Sequence, residues 1–426
     1  MSGGPRPVGW LQHPWLLSLW SVVAAFGAYA CMYGFRKPFT AGSYGDADTK
    51  LWLVTAQVLG YTVSKFVGIK VIAEMGAAGR ARALLGLVAV AHLMLLLFAV
   101  APAPLDALCL FLNGLALGLV FGLVLGFVEG RRLTELFVAG LCASFILADG
   151  VAKSAGALLL ARGVPERWMP FAAGLVFLTP LVACVWMLRQ IPPPTDHDEA
   201  ARSRREPLQG AERLALLRRH APLLLGIVLA YMLITILRSL RADFAPELWA
   251  GLGEAMPPAV YTRSELWVTL VVVAANGALV LVRGNRRALL TGLLLSCAGL
   301  GVGLLALWAR SRALVAPFPF MVLLGVGLYV PYVAVHTTLF ERFIALTRER
   351  GNLGFLMYLA DALGYLGYAG VMLARGLFPG PERFLGFFTA TSTMLLGGAL
   401  VLLAGATWWT VSRLAGAPSI RAPGSR

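Results

Sequence analysis

Apolar stretches follow one another along almost the whole chain, with short polar turns between them. A stretch of about twenty apolar residues is long enough to cross the hydrocarbon core of a membrane, roughly 30 Å thick, as an α-helix. The pattern therefore predicts an all-α membrane protein with twelve transmembrane helices. The predicted spans are 14–39, 49–74, 83–102, 104–128, 135–160, 168–189, 221–245, 264–282, 287–309, 313–340, 353–374 and 384–412.

One interruption of this pattern is long. Residues 190–220 hold three consecutive prolines and a mixture of acidic and basic side chains, which is typical of an exposed linker. The linker divides the chain into two six-helix bundles, predicted at 14–189 and 221–412, with short tails at 1–13 and 413–426.

The two bundles resemble copies of one another. Asp149 and Asp361 both stand in Leu-Ala-Asp triplets and are 212 residues apart, and Glu129 and Glu341 close the fourth and tenth segments at the same offset. Matching positions in matching helices predict two parallel, pseudo-symmetric repeats. In the fourth segment, glycines recur every four residues from 114 to 130, which predicts a close contact with another helix.

Composition and charge support a membrane protein. Hydrophobic residues make up 59% of the chain and charged residues only 13%, more apolar surface than a soluble domain buries. The net charge of +15 would suit nucleic acid, but 21 of the 36 lysines and arginines lie on one predicted side of the membrane and 8 on the other. This bias follows the positive-inside rule, so both termini are expected in the cytoplasm, in a multi-pass protein of the cell membrane that binds no nucleic acid.

Signs of catalysis are absent from the sequence. All five cysteines fall inside predicted helices without a CxxC spacing, which argues against disulfides and metal sites. The sequence contains no nucleotide-binding loop and no recognisable catalytic triad. We expect no enzyme activity, no cofactor and no metal. The first apolar run lacks a basic leader and a cleavage site, so it is expected to stay in the mature protein.

Two arginines occupy corresponding places in the first and seventh segments. Arg36 follows Tyr29 by seven residues, and Arg238 follows Tyr231 by the same seven. A guanidinium group donates two parallel hydrogen bonds to a carboxylate or phosphate and keeps its charge, so the pair predicts one anion site with an arginine from each bundle. The alternative is that Arg36 only extends to the membrane surface; Arg241, one turn after Arg238, is the residue expected to do so.

Further charges stand inside the predicted helices. Asp149 and Lys153 are four residues apart on one helical face, as an internal ion pair or as a coupling site. Asp361 is a candidate proton carrier unless it pairs with Lys65 or Lys153. His336 is either a structural residue or a group that titrates near neutral pH.

Short motifs resemble one transporter family. The first segment carries Tyr-x-x-Arg-Lys-x-Phe at 33–39, the second Ser-Lys-Phe at 64–66, the seventh Arg238 followed by Asp243 and Pro246, and the eleventh Gly-Tyr-Leu-Gly at 364–367. Twelve helices in two sets of six resemble the major facilitator superfamily, and these motifs are most similar to its organophosphate:phosphate antiporters. The family's histidine in the fifth helix has no counterpart here, and Asp149 takes the nearest position.

The resemblance implies a monomeric secondary transporter that moves a small anionic solute by alternating access, with phosphorylated metabolites exchanged for phosphate. The implied partners are the solute and the lipid bilayer. Two alternatives remain: a transporter-like membrane sensor of a phosphorylated metabolite, and a proton-coupled carrier of another organic anion such as a carboxylate. The residues implied in solute binding are Arg36, Arg238, Tyr33, Lys37, Lys65 and Tyr231.

Overall fold

A computed structural model of the protein describes residues 13–75, 77–128, 134–192, 215, 218–253, 257–279, 281–347, 353–374 and 381–414. Within these ranges every regular element is a helix. In the first half the helices are α1 (Pro14–Tyr33), α2 (Ala47–Glu74), α3 (Ala77–Val100), α4 (Leu105–Leu117), α5 (Val120–Val128), α6 (Thr134–Ala161) and α7 (Met169–Arg189). In the second half they are α8 (Ala221–Asp243), α9 (Ala245–Gly251), α10 (Val260–Leu279), α11 (Asn285–Ser311), α12 (Pro317–Ala334), α13 (Phe340–Thr347), α14 (Leu353–Leu373) and α15 (Pro381–Leu414).

Each of the twelve predicted spans is occupied by one helix or by two consecutive ones, so the predicted all-α, multi-pass class is confirmed. The fourth span is divided into α4 and α5, and the tenth joins α12 to α13 through a π-helical turn at Val335–Leu339. In the described part of the chain, ten helical stretches are long and apolar enough to cross a membrane. The remaining two are α2 and α10, which bury charged side chains such as Lys65 and Glu265.

The first helix is shorter than predicted. It ends at Tyr33 rather than at residue 39, and Gly34 caps it by donating its N–H to the carbonyl oxygen of Cys31 at 2.9 Å. The N–H groups of Arg36 and Lys37 both return to the carbonyl oxygen of Tyr33, which makes a tight turn. The two cations therefore follow the helix instead of ending it, and their side chains are nevertheless only 3% and 5% exposed.

Glycines bring α2 and α4 into close contact. A Cβ atom added to Gly60 would lie 1.9 Å from the carbonyl oxygen of Phe111, and one added to Gly114 would lie 2.1 Å from that of Gln57. Both separations are far shorter than any real contact, so only glycine permits this approach. Part of the predicted glycine repeat, Gly114 and Gly118, lies in this contact.

The two halves meet through two pairs of helices. In one pair α2 of the first half packs against α14 of the second, and in the other α6 packs against α10. The side chains between them form the site described below. The predicted tails at 1–13 and 413–426 and the predicted linker at 190–220 lie largely outside the described residues, and Glu129 lies wholly outside them.

Candidate functional site

The two predicted arginines meet at one tyrosine. The guanidinium carbon of Arg36 lies 3.7 Å from the centroid of the Tyr61 ring and 5.7 Å from that of Tyr365. Arg238 donates from Nη2 to the Tyr365 hydroxyl at 3.2 Å. Residues that are 202 positions apart in the sequence, one from each half, are thus joined through the same side chain of α14. Cations over aromatic rings are stabilised even where water is excluded.

Both arginines lack a counter-ion among the residues that the structure describes. Neither has a carboxylate within 4 Å in the described part of the chain, and Nε of each is buried without a hydrogen-bond partner. Every other fully buried cation of the interior described here is matched with an acid. These pairs are Lys37–Asp243, Lys50–Glu247, Lys65–Asp361, Lys153–Asp149 and Arg241–Glu265. The site therefore holds two positive charges that no acid in the described ranges balances.

The turn that carries Arg36 is fixed to two helices. Gln57 on α2 donates from Nε2 to the carbonyl oxygen of Arg36 at 3.1 Å and to Oδ1 of Asn113 at 2.9 Å. Asn113 on α4 donates in turn to the carbonyl oxygens of Phe35 and Ala91. A turn with its backbone carbonyls satisfied in this way holds the arginine in one orientation.

A loop next to this turn is held by one carboxylate. Glu166, between α6 and α7, accepts hydrogen bonds from the N–H and hydroxyl of Ser43 and from the N–H of Tyr44, at 2.8–2.9 Å. Partial burial raises the pKa of Glu166, but these hydrogen bonds outweigh it and leave the pKa below its ordinary value. The loop is consequently tied to the start of α7 at neutral pH.

A cavity lies beside the arginines, with about 230 Å³ of space between atoms when the part open to its mouth is included. Aromatic side chains form most of its wall, together with Lys65 and Asp361 from opposite halves. The aromatic members are Tyr29, Tyr33, Tyr61, Phe121, Phe145, Tyr332 and Tyr365. Tyr33, one of the predicted site residues, stands in this wall edge to face with Tyr29, at 5.5 Å between ring centroids.

Four of the predicted residues form a cluster at this cavity. Lys65 donates to Oδ2 of Asp361 at 3.0 Å, and Tyr231 donates to Oδ1 of the same carboxylate at 2.5 Å. Nε2 of His336 lies 3.6 Å from that Oδ1. Asp361 is thus paired with Lys65, which is the alternative that the sequence left open for it. Tyr231 contacts this acid and stacks on Tyr332, rather than contacting either arginine.

A second cluster lies at the ends of α1 and α8. Lys37 donates to Asp243 in a short contact and lies 3.9 Å from Asp149, which accepts from Lys153 in another short contact. Tyr368 also donates to Asp243, at 2.9 Å. Asp149 and Lys153 therefore form the internal ion pair that their spacing suggested. Since Asp149 faces two lysines, its charge is balanced locally.

The expectation for Arg241 is wrong. Instead of extending to the membrane surface, the Arg241 side chain turns inward and is only 2% exposed. It lies 2.8 Å from a carboxylate oxygen of Glu265 on α10 and donates to the carbonyl oxygen of Met321 at 3.0 Å. A cation in the last turn of an apolar helix looks the same in the sequence whether its side chain extends to the membrane surface or turns inward. The acid on α10 decides between these two orientations.

Sequence reasoning missed several residues that contact the arginines or join the two halves. Tyr61 and Tyr365 contact the arginines. Tyr365 belongs to one of the four motifs, but the motif did not indicate this contact. Glu247 pairs with Lys50 across the two halves at 2.5 Å. A charge near a helix end is ordinary in a sequence, so no signal marked Lys50 and Glu247 before their partners were known.

Comparison with known proteins gives the family of the chain. A family model described as "Family of unknown function (DUF5690)" matches residues 38–412. The chain belongs to this family. No curated protein matches it.

A solved structure shows the architecture of the DUF5690 chain. It is similar to the crystal structure of a D-xylose-proton symporter, with a TM-score of 0.53 and 12% sequence identity over 90% of this chain and 97% of the other. A likeness at this identity concerns the fold alone. It confirms the predicted major facilitator architecture of a multi-pass membrane protein, while the resemblance to organophosphate antiporters rests on the motifs.

Proposed function

We propose that this chain is a secondary transporter that carries a small organic anion across a membrane and binds it between Arg36 and Arg238. The supporting observation is that these two buried guanidinium groups have no counter-ion in the described structure, whereas five other buried cations do. A buried charge is costly inside a membrane unless it is matched. An anionic solute matches both arginines at once.

Charge and shape favour a phosphorylated metabolite. Two unbalanced positive charges suit a solute with a doubly charged head, and a guanidinium fork suits the oxygens of a phosphate. The aromatic walls of the cavity offer surface to the organic part of such a solute. Asp149 does not oppose this choice, because Lys153 and Lys37 balance its charge. The proposed reaction is exchange of an organophosphate for inorganic phosphate.

Ion pairs between the halves lie on both sides of the arginines. Lys37 pairs with Asp243 where α1 and α8 end. Lys65 pairs with Asp361 deeper in the helices. Lys65 lies nine residues before the last residue of α2, and Asp361 lies eight residues after the first residue of α14, about 12–14 Å along each helix. A solute reaches the arginines only when one of these two pairs opens. Opening on one side at a time is alternating access, in which the halves rock about a central site.

Exchange in proteoliposomes tests the proposal. The purified chain is reconstituted with unlabelled glucose 6-phosphate or phosphate inside, and uptake of labelled phosphate is measured against protein-free vesicles. We expect uptake that requires an internal anion. Stabilisation of the protein by a phosphorylated compound without any flux would instead identify a sensor. Flux of a carboxylate with none of phosphate would identify a carrier of another organic anion.

A further inference from the structure

His336 stands beside the central ion pair with a ring nitrogen that has no hydrogen to share. Its Nδ1 lies 3.1 Å from the carbonyl oxygen of Tyr332, a group that only accepts, so Nδ1 carries the hydrogen of the neutral ring. Nε2 then has no hydrogen and carries a lone pair. It lies 3.6 Å from Oδ1 of Asp361 and 3.4 Å from the Tyr231 hydroxyl.

The Tyr231 hydroxyl does not fill this place. It has one hydrogen, and its contact with Asp361 at 2.5 Å is much shorter than its contact with His336 at 3.4 Å. The hydrogen therefore belongs to the bond with Asp361. Nε2 of His336 faces a carboxylate oxygen of Asp361 at 3.6 Å, an arrangement that one added proton would turn into an N–H···O ion pair.

Lys65 decides whether that proton is favoured. While Lys65 is bound to Asp361, the carboxylate is already neutralised. A charged His336 would then add a third unbalanced cation near Arg238, whose guanidinium lies over the adjoining Tyr332 ring at 4.6 Å. Once Lys65 withdraws, Asp361 is left as a buried carboxylate without a cation, and His336 is the nearest group able to supply one.

The other neighbours of His336 offer no competing charge. Phe145 from α6 lies 6.3 Å from it between ring centroids, and the tilted rings of Tyr231 from α8 and of Tyr332 lie 5.2 Å and 5.1 Å from it. Asp361 from α14 is the acid within ion-pair distance among the described residues, and Lys65 from α2 stands on the far side of that acid. The occupancy of Asp361 thus controls the charge of His336.

We propose that His336 is the binding site of a coupling proton, which binds Nε2 when Lys65 leaves Asp361 and departs when Lys65 returns. A hydronium ion of the aqueous phase gives up the proton and becomes water, the imidazole becomes an imidazolium ion paired with Asp361, and on release the proton returns to water as hydronium. Because Lys65 belongs to the first half and Asp361 and His336 to the second, the exchange links proton binding to separation of the halves. This inference rests on the proposed transporter function in one respect, since the transport motion is what separates Lys65 from Asp361.

Nitrogen-15 NMR of the histidine rings tests the exchange without any solute. The full chain is labelled on histidine, and His336→Gln identifies the signal. In the wild type at neutral pH we expect a neutral ring protonated on Nδ1. In Lys65→Met we expect the same signal to move to the position of an imidazolium, and in Lys65→Met/Asp361→Asn to return to that of a neutral ring.

Matched controls separate this effect from general disturbance. Lys153→Met removes an equally buried lysine from Asp149, and it should leave His336 neutral. His92, stacked on Phe171 at 4.6 Å, is an internal reference that should not change in any variant. Lys65→Gln provides a second test if the methionine variant does not fold.

The single variant Asp361→Asn provides an additional test. In Asp361→Asn the His336 signal should be that of a neutral ring, because the carboxylate that would pair with an imidazolium is gone. A His336 ring that remains neutral in Lys65→Met, or that is charged alike in Lys65→Met and in Lys65→Met/Asp361→Asn, would overturn the proton site. Neither result depends on phosphate uptake, so the proton site and the transported solute stand or fall separately.

Discussion

At the scale of single residues, each buried charge stabilises or destabilises the fold according to whether it has a partner. Removing one member of a buried pair leaves an uncompensated charge and costs about 3–5 kcal/mol, more than the net value of the pair itself. Lys37 and Asp243 form such a pair, with side chains only 6% and 4% exposed. Both side chains are buried far more deeply than those of a surface ion pair, so we expect the full loss of stability when either charge is removed.

We therefore expect Lys37→Met to lower the free energy of unfolding by about 3–5 kcal/mol. Lys37→Met/Asp243→Asn should recover much of the loss, since it removes the stranded carboxylate as well. Lys50→Met is the matched comparison with a smaller loss, because the Glu247 side chain that it strands is 25% exposed. Thermal unfolding in detergent measures all three; equal losses in the single and double variants would contradict the argument.

The sequence identified charged residues more readily than their partners. Arg36, Arg238, Lys65 and Asp361 stood out because charge within an apolar stretch is rare. Their partners depend on which helices face each other, and Lys37 and Asp243 are 206 residues apart. For the same reason the inward turn of Arg241 toward Glu265 was not predictable from its position in its own helix.

At the scale of helices, periodicity predicted the spans well and their ends less well. The predicted first helix continued to residue 39, although Gly34 and Pro38 were signals of an earlier end. The residue before a proline avoids helical geometry, and glycine commonly ends a helix. Apolar composition concealed both signals, because the turn after α1 is as buried as the helix that precedes it.

The contact of α2 with α4 gives a prediction at this scale. Gly114→Ala places a methyl carbon only 2.1 Å from the carbonyl oxygen of Gln57, so the two helices must separate. Overpacking of this kind costs about 1–3 kcal/mol or more. Gly86→Ala in α3 is the control, since nothing lies within 4 Å of its added Cβ. A Gly114→Ala variant as stable in thermal unfolding as Gly86→Ala would exclude the close contact.

The same substitution should reach the site. Gln57 also holds the carbonyl oxygen of Arg36, and Asn113, next to Gly114, holds that of Phe35. Displacing α2 from α4 therefore moves the turn that positions one of the two arginines. This connection could not be foreseen from the glycine repeat alone, which predicts that helices approach but not what their contact supports.

At the scale of the whole molecule, each of two similar halves contributes one arginine, and the two arginines contact tyrosines in the wall of a shared cavity. The repeat offsets in the sequence pointed to this arrangement, and the major facilitator architecture agrees with it. The offsets did not reveal that ion pairs between the halves enclose the arginines from both sides, because those pairs join residues that are not repeat-related, such as Lys65 and Asp361. In the mechanism that we propose, binding of a central anion is therefore coupled to movement of the halves.

Thermal stabilisation by ligands is the measurement that tests the central claim most directly. The wild type, Arg36→Lys and Arg238→Lys are each unfolded by heating with a panel of phosphorylated and carboxylated metabolites, and Arg312→Lys serves as an exposed control. A ligand at a hundred times its dissociation constant stabilises the folded state by about 2.7 kcal/mol. We predict that at least one doubly charged anion stabilises the wild type and Arg312→Lys but neither buried-site variant, because an ammonium group cannot replace the guanidinium fork. Equal stabilisation of all four proteins would contradict the account.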